Sequence, residues 1–109
     1  MKIYKYSITL YTQLGEKSGI LTRYAEYDHG SESGFIEILG EKNPYLAKIE
    51  PNGKCSMSGT LKTLVSDYKF HGDGYIYPDK LEITLHDGKN NLLMQGVIKE
   101  VIYENEKVL

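Results

Sequence analysis

The side chains able to do chemistry are few in this chain and stand well apart. The one cysteine, Cys55, becomes a nucleophile only in a thiolate-favouring site with a base beside it. It alternates in phase with Met57 and Leu61, which makes it a small core side chain. The three histidines are His29, His71 and His86, and none sits in an HExxH run. His71 and Asp73, two residues apart on one strand face, would need a third ligand from elsewhere to hold zinc. Both read better as exposed polar residues, and no metal site is assigned. Glycoside chemistry needs two carboxylates on facing walls. Glu37, Glu82 and Asp73 are available, and Glu37 shares its face with Phe35 and Leu39, which makes it the acid to inspect. No glycine-rich phosphate loop opens a helix. The chain therefore nominates no catalytic residue and no cofactor.

The aromatic residues carry more information. There are ten tyrosines and two phenylalanines, a bias suited to half-buried strands or to a ligand-lined wall. Tyr4, Tyr6, Tyr68 and Phe70 fall on the inward phase. They would line one region if the first and later strands meet on closing. Plain core packing explains such a set, and so does a pocket for a small apolar or amphipathic ligand. Tyr75 and Tyr77 beside Lys69 and His71 offer a faint stacking surface for single-stranded nucleic acid. Thirteen basic against fifteen acidic residues, a net charge of -2 in alternating sign, argue against that partner.

These side chains must be positioned by strands. Apolar residues recur mostly at every second position, and no capped stretch of 3.6-residue spacing appears. The spacing predicts strands over Ile3–Thr12, Lys17–Tyr27, Ser33–Leu39, Tyr45–Glu50, Lys54–Leu64, Tyr68–Tyr77, Leu81–His86 and Asn91–Tyr103. Ile20 and Leu21 are adjacent, which suggests a bulge in the second strand. Gly40–Pro44 reads as a break before the fourth. Val65–Asp67 reads as a tight connection, with a helical turn over Thr60–Asp67 as the alternative. The connections are far too short for parallel crossovers, so the fold class is all-β, an antiparallel meander of about eight strands forming a closed or partly open barrel. Gly19, Gly34, Gly59, Gly74 and Gly96 fall inside strands. A mid-strand glycine packs nothing, and it serves where a sheet bends sharply or something approaches closely.

At the level of strand count, Ile3 to Tyr103 resembles the calycins, the lipocalin and fatty-acid-binding-like meander barrels. The Gly-x-Trp element of the lipocalin entrance is missing, since the chain has no Trp. Thr12-Gln13-Leu14-Gly15-Glu16-Lys17-Ser18-Gly19 and Ile38-Leu39-Gly40-Glu41-Lys42-Asn43-Pro44 also resemble runs in small uncharacterised β proteins of bacteria. That likeness implies a bacterial origin and a compact β fold, and no activity. The expectation is one domain over 1–109, with 103–109 frayed. No apolar run reaches the length of a membrane span, and one cysteine allows no internal disulfide. A cytoplasmic binding or interaction protein is therefore expected, taking a small apolar ligand or pairing as a homodimer. A small enzyme using the barrel cavity and a nucleic-acid-binding sheet are the alternatives.

Overall fold

Short turns let each alternating segment pair at once with the next, and the strands follow from that. A computed structural model of the chain describes residues 2–12, 15–27, 29–38, 40–62 and 67–106. Eight strands succeed one another: β1 (Lys2–Thr12), β2 (Gly15–Ala25), β3 (Gly30–Ile38), β4 (Glu41–Ile49), β5 (Lys54–Lys62), β6 (Asp67–Tyr77), β7 (Lys80–His86) and β8 (Leu92–Glu106). Each pairs antiparallel with its sequence neighbour, and β8 returns to β1, so the sheet is a closed barrel. The eight-stranded antiparallel meander agrees with the strand count of the calycins. Among the described residues there is no helix, hence none long and apolar enough to cross a membrane.

An eight-stranded barrel leaves an interior just wide enough for side chains or one small ligand. Here side chains take it. Tyr4, Tyr6, Ile8 and Leu10 of β1 are buried against Leu21, Ile36, Tyr45, Met57, Phe70 and the alternating Leu81, Ile83 and Leu85 of β7. The five in-strand glycines share this inward phase. A Cβ on Gly34 would lie 2.6 Å from Tyr45 Oη, one on Gly59 2.6 Å from Phe70 Cζ, and one on Gly96 3.1 Å from Leu10 Cδ2. A Cβ on Gly19 would lie 2.9 Å from Leu10 Cδ1, and one on Gly74 2.8 Å from Ile83 Cα. The volume each glycine vacates is thus occupied by a neighbour, most visibly by the rings of Tyr45 and Phe70.

Four features depart from the spacing-based expectation. The second strand contains no bulge, because β1 and β2 keep one unbroken register from Lys2–Ala25 to Thr12–Gly15. Leu21 points inward and Ile20 outward, opposite Ser7 and Glu37. The irregularities fall instead on β8, opposite Lys5–Ile8 of β1 and His86 of β7. Next, Glu41–Pro44 is strand, not a break, and Pro44 pairs with Phe35. Proline lacks the ladder donor, and the buried side chain of Asn43 makes good the loss. Its Nδ2 donates to the Ile36 carbonyl at 3.0 Å, and its Oδ1 accepts from Lys62 N at 2.8 Å. That carries the sheet past Tyr45–Gly59, the last regular β4–β5 pair. Third, β3 begins at Gly30, whose φ of +117° is a conformation glycine adopts without penalty. Last, β8 continues to Glu106, since Lys2–Lys5 pair with residues 103–106. The predicted turn at 13–14, the connection at 63–66 and the tail at 107–109 lie outside the described residues.

Candidate functional site

Strand alternation sets two charged residues inside the barrel. Arg23 lies between Leu21 and Ala25 on the inward phase of β2, and Glu32 precedes Gly34 and Ile36 on that of β3. Their side chains are only 3% and 4% exposed. Arg23 Nε donates to Glu32 Oε1 at 2.7 Å and Nη2 to Oε2 at 3.2 Å, a bidentate fork. Nη1 donates to Tyr6 Oη at 2.9 Å, and the Tyr6 hydroxyl in turn donates to the Tyr77 carbonyl at 3.1 Å. The guanidinium carbon stands 4.9 Å from the centre of the Tyr4 ring, within cation–π range. Tyr4 and Tyr6 stack with centroids 6.1 Å apart. Tyr45 Oη donates to the Thr22 carbonyl at 3.4 Å.

Burial works against the charge on Arg23, but the hydrogen bonds to Glu32 and the anionic surroundings outweigh it, so the proton is held more firmly than on a free arginine. Burial pushes the phenols of Tyr6 and Tyr45 up, with Arg23 opposing. It also pushes the Cys55 thiol up to about 11, again against Arg23, so Cys55 stays protonated near neutrality and is a poor nucleophile. Among the described residues no buried side-chain nitrogen or oxygen lacks a partner. The cluster is complete in itself. It holds four strands together, from Tyr4 and Tyr6 of β1 through Arg23 and Glu32 to the Tyr77 carbonyl of β6.

The residues nominated from sequence are split between inside and outside. Tyr4, Tyr6 and Phe70 are buried in the common core, while Tyr68, on the same phase of β6, is 43% exposed. Glu37 faces outward on β3, 4.0 Å from Lys42 Nζ. Glu82 and Asp73 are exposed on the outer face. His71 and His86 are brought side by side, whereas His29 stays apart in the β2–β3 turn. Among the described residues no three His, Cys, Asp or Glu side chains gather as metal ligands. Arg23, Glu32 and Asn43 went unselected by spacing alone. The signal was their phase, since each stands where the alternation demands an apolar residue.

The open concavity lies on the outer wall. A groove of about 550 Å³ crosses β2 to β6, lined by Tyr24, Phe35, Pro44, Leu46, Ser58, Thr60 and Lys69 together with the backbone at Gly34 and Gly59. Tyr24 and Phe35 meet edge to face at 6.0 Å, and Lys42 Nζ stands 5.9 Å from the Phe35 ring. Leu46, 67% exposed, and Ser58 also line a second hollow of about 360 Å³ with Ser31, Lys48 and Ser56. Leu46 is therefore the ridge between two adjoining concavities. Alternation puts its apolar side chain outside, where burial cannot account for it. No protein-family model, curated protein or solved structure matches the chain.

Proposed function

We propose that the protein is a non-enzymatic binding protein that takes a small amphipathic anion on the outside of its barrel. The observation that carries this reading is the groove around Leu46. Its floor is apolar, from Tyr24, Phe35 and Pro44, and lysines stand at its margin, Lys69 in the lining and Lys42 over Phe35. A volume of about 550 Å³ is that of a small-molecule site. The packed interior supports the outer wall as the place of binding. An open groove covers about half of a ten-carbon chain, which at ~0.8 kcal/mol per methylene recovers about 4 kcal/mol. That corresponds to a Kd of about 1 mM, before any contribution from the lysines.

Decanoate is a suitable probe. Titrated into ¹⁵N-labelled protein, it is expected to shift the amides of Tyr24, Phe35, Leu46 and Thr60 saturably. Leu46→Asp abolishes those shifts and Lys69→Glu weakens binding. Leu92→Asp, at an exposed apolar residue elsewhere, leaves it unchanged. Shifts that do not saturate, or that persist in Leu46→Asp, overturn the proposal.

A second reading, self-association, is favoured by one observation on β8. β7 pairs with this strand only from Leu92 to Val97. Among the described residues the β7-side edge from 98 to 106 has no strand partner, and Val101, Ile102 and Tyr103 are 37%, 46% and 46% exposed there. An uncovered apolar edge is a template for pairing, and a second copy can offer the same edge about a twofold axis. Sedimentation equilibrium tests this. A dimer that Ile102→Lys converts to monomer is the expected result, and a wild-type monomer at every concentration rejects it.

A further inference from the structure

His71 and His86 lie fifteen residues apart in sequence, and the β6–β7 register makes them direct opposite neighbours. Both are on the outer phase, since Phe70 and Leu85 beside them point into the core. Their rings face each other with centroids 5.9 Å apart and planes inclined by 26°. The register shift of β8 falls between Leu85 and His86, and such irregularities re-aim side chains at strand ends.

A third group reaches the pair from the β7–β8 turn. Asp87 Oδ1 accepts from Lys89 N at 2.8 Å and from Asn91 N at 2.9 Å, and Oδ2 accepts from Asn91 Nδ2 at 3.2 Å. Those three bonds make the Asp87 side chain a brace for the turn. Asn90 N donates to the Asp87 carbonyl at 3.1 Å, and Asn90 itself sits at φ 63°. Held this way, its Oδ1 lies 2.9 Å from His71 Nε2. An amide oxygen only accepts, so this contact favours the tautomer with the proton on His71 Nε2 and leaves Nδ1 as the nitrogen to offer an ion. This is how an outer hydrogen bond commonly fixes the tautomer of a metal-ligating histidine.

We propose that His71 and His86 form a surface site for a divalent transition-metal ion of the class that prefers imidazole, copper(II) or zinc(II), with Asn90 as the positioning residue. Two facing imidazoles suit these ions better than magnesium or calcium, which take oxygen. Both rings are on the surface, so small rotations converge their nitrogens on one ion, each about 2.0–2.1 Å from it for zinc. Water completes the coordination, since no third His, Cys, Asp or Glu joins the pair among the described residues. Such a site exchanges its ion readily. Bound metal ties β6 and β7 together next to the turn that leads into β8.

The test is calorimetric titration of untagged protein with zinc chloride and, separately, copper(II) chloride. One ion per chain is expected, with copper binding more tightly than zinc. His71→Ala and His86→Ala each abolish saturable binding. Asn90→Gly keeps the positive φ but removes the orienting oxygen, and it weakens binding by about tenfold. His29→Ala binds as the wild type does. The metal-free variants melt with the wild type, so lost binding is not lost folding. Absence of saturable binding of either ion, or binding that survives His71→Ala or His86→Ala, overturns the proposal.

Discussion

Arg23→Met is expected to lower the unfolding free energy by about 3–5 kcal/mol, because it strands Glu32 as an unpaired charge inside the barrel. The Glu32 side chain is 4% exposed and Arg23 satisfies it through both oxygens. Without the guanidinium, the carboxylate must stay ionised in an apolar interior or bind a proton, and either is costly. Tyr6 loses the donor to its hydroxyl, and the stacked Tyr4 ring loses its cation. The intact pair need not itself stabilise the fold, since taking two charges out of water costs about what their attraction returns. The double variant Arg23→Met/Glu32→Leu is therefore expected to recover most of the loss. Urea denaturation of the wild type, both single variants and the double variant gives the four free energies. A double variant no more stable than Arg23→Met would mean that the cluster acts through shape and not charge. Single variants within about 0.5 kcal/mol of wild type would mean that the pair is not buried in solution.

The same residues show how far the fold and the site were legible in the sequence. Alternation was enough for eight strands, because Ile8 with Leu10, or Leu81 with Ile83 and Leu85, repeats at period two without ambiguity. The short turns made the pairing antiparallel, but closure stayed open between a barrel and a partly open sheet until the β8–β1 pairing decided it. Pro44 misled, because its strand is rescued by the Asn43 side chain reaching Lys62, nineteen residues away, and no local rule contains that contact. Ile20 misled in the opposite sense, since an apolar pair needs no bulge when one member faces outward against Ser7 and Glu37. Arg23 and Glu32 were in phase with the core, but a charge at an inward position reads as noise until its partner is known. The hairpin register supplies that partner, setting Arg23 opposite Gly34, two residues along β3 from Glu32. Tyr68 has the phase of Phe70 and yet is exposed, because phase says which way a side chain points and not whether anything covers it. The outer groove was not legible at all, since its shape depends on how the closed sheet curves around Gly34 and Gly59.

Gly74→Val is expected to destabilise the barrel by about 3 kcal/mol or more, and Gly59→Val by about 2–3 kcal/mol, both through overpacking. The ranking follows from what each new side chain meets. At Gly74 the nearest atoms are backbone, the Glu82 carbonyl oxygen and then Ile83 Cα at 2.8 Å. Backbone of a paired strand cannot rotate aside, so β6 and β7 must separate and surrender ladder bonds around Gly74–Ile83. At Gly59 the Phe70 ring stands 2.6 Å away at Cζ, and the Pro44 carbonyl is closer still. The ring can swing, but only into space held by other core side chains, because the interior is packed. Gly88 is the control, with nothing within 4 Å of its would-be Cβ, so Gly88→Ala should stay within about 0.5 kcal/mol of wild type. Thermal and urea unfolding of the three variants decide the point. Near-neutral values for Gly59→Val and Gly74→Val would show that the sheet has slack at these positions, and would put a cavity where the structure places packed rings. The expected losses make the glycines the means by which a narrow barrel accommodates Tyr45 and Phe70.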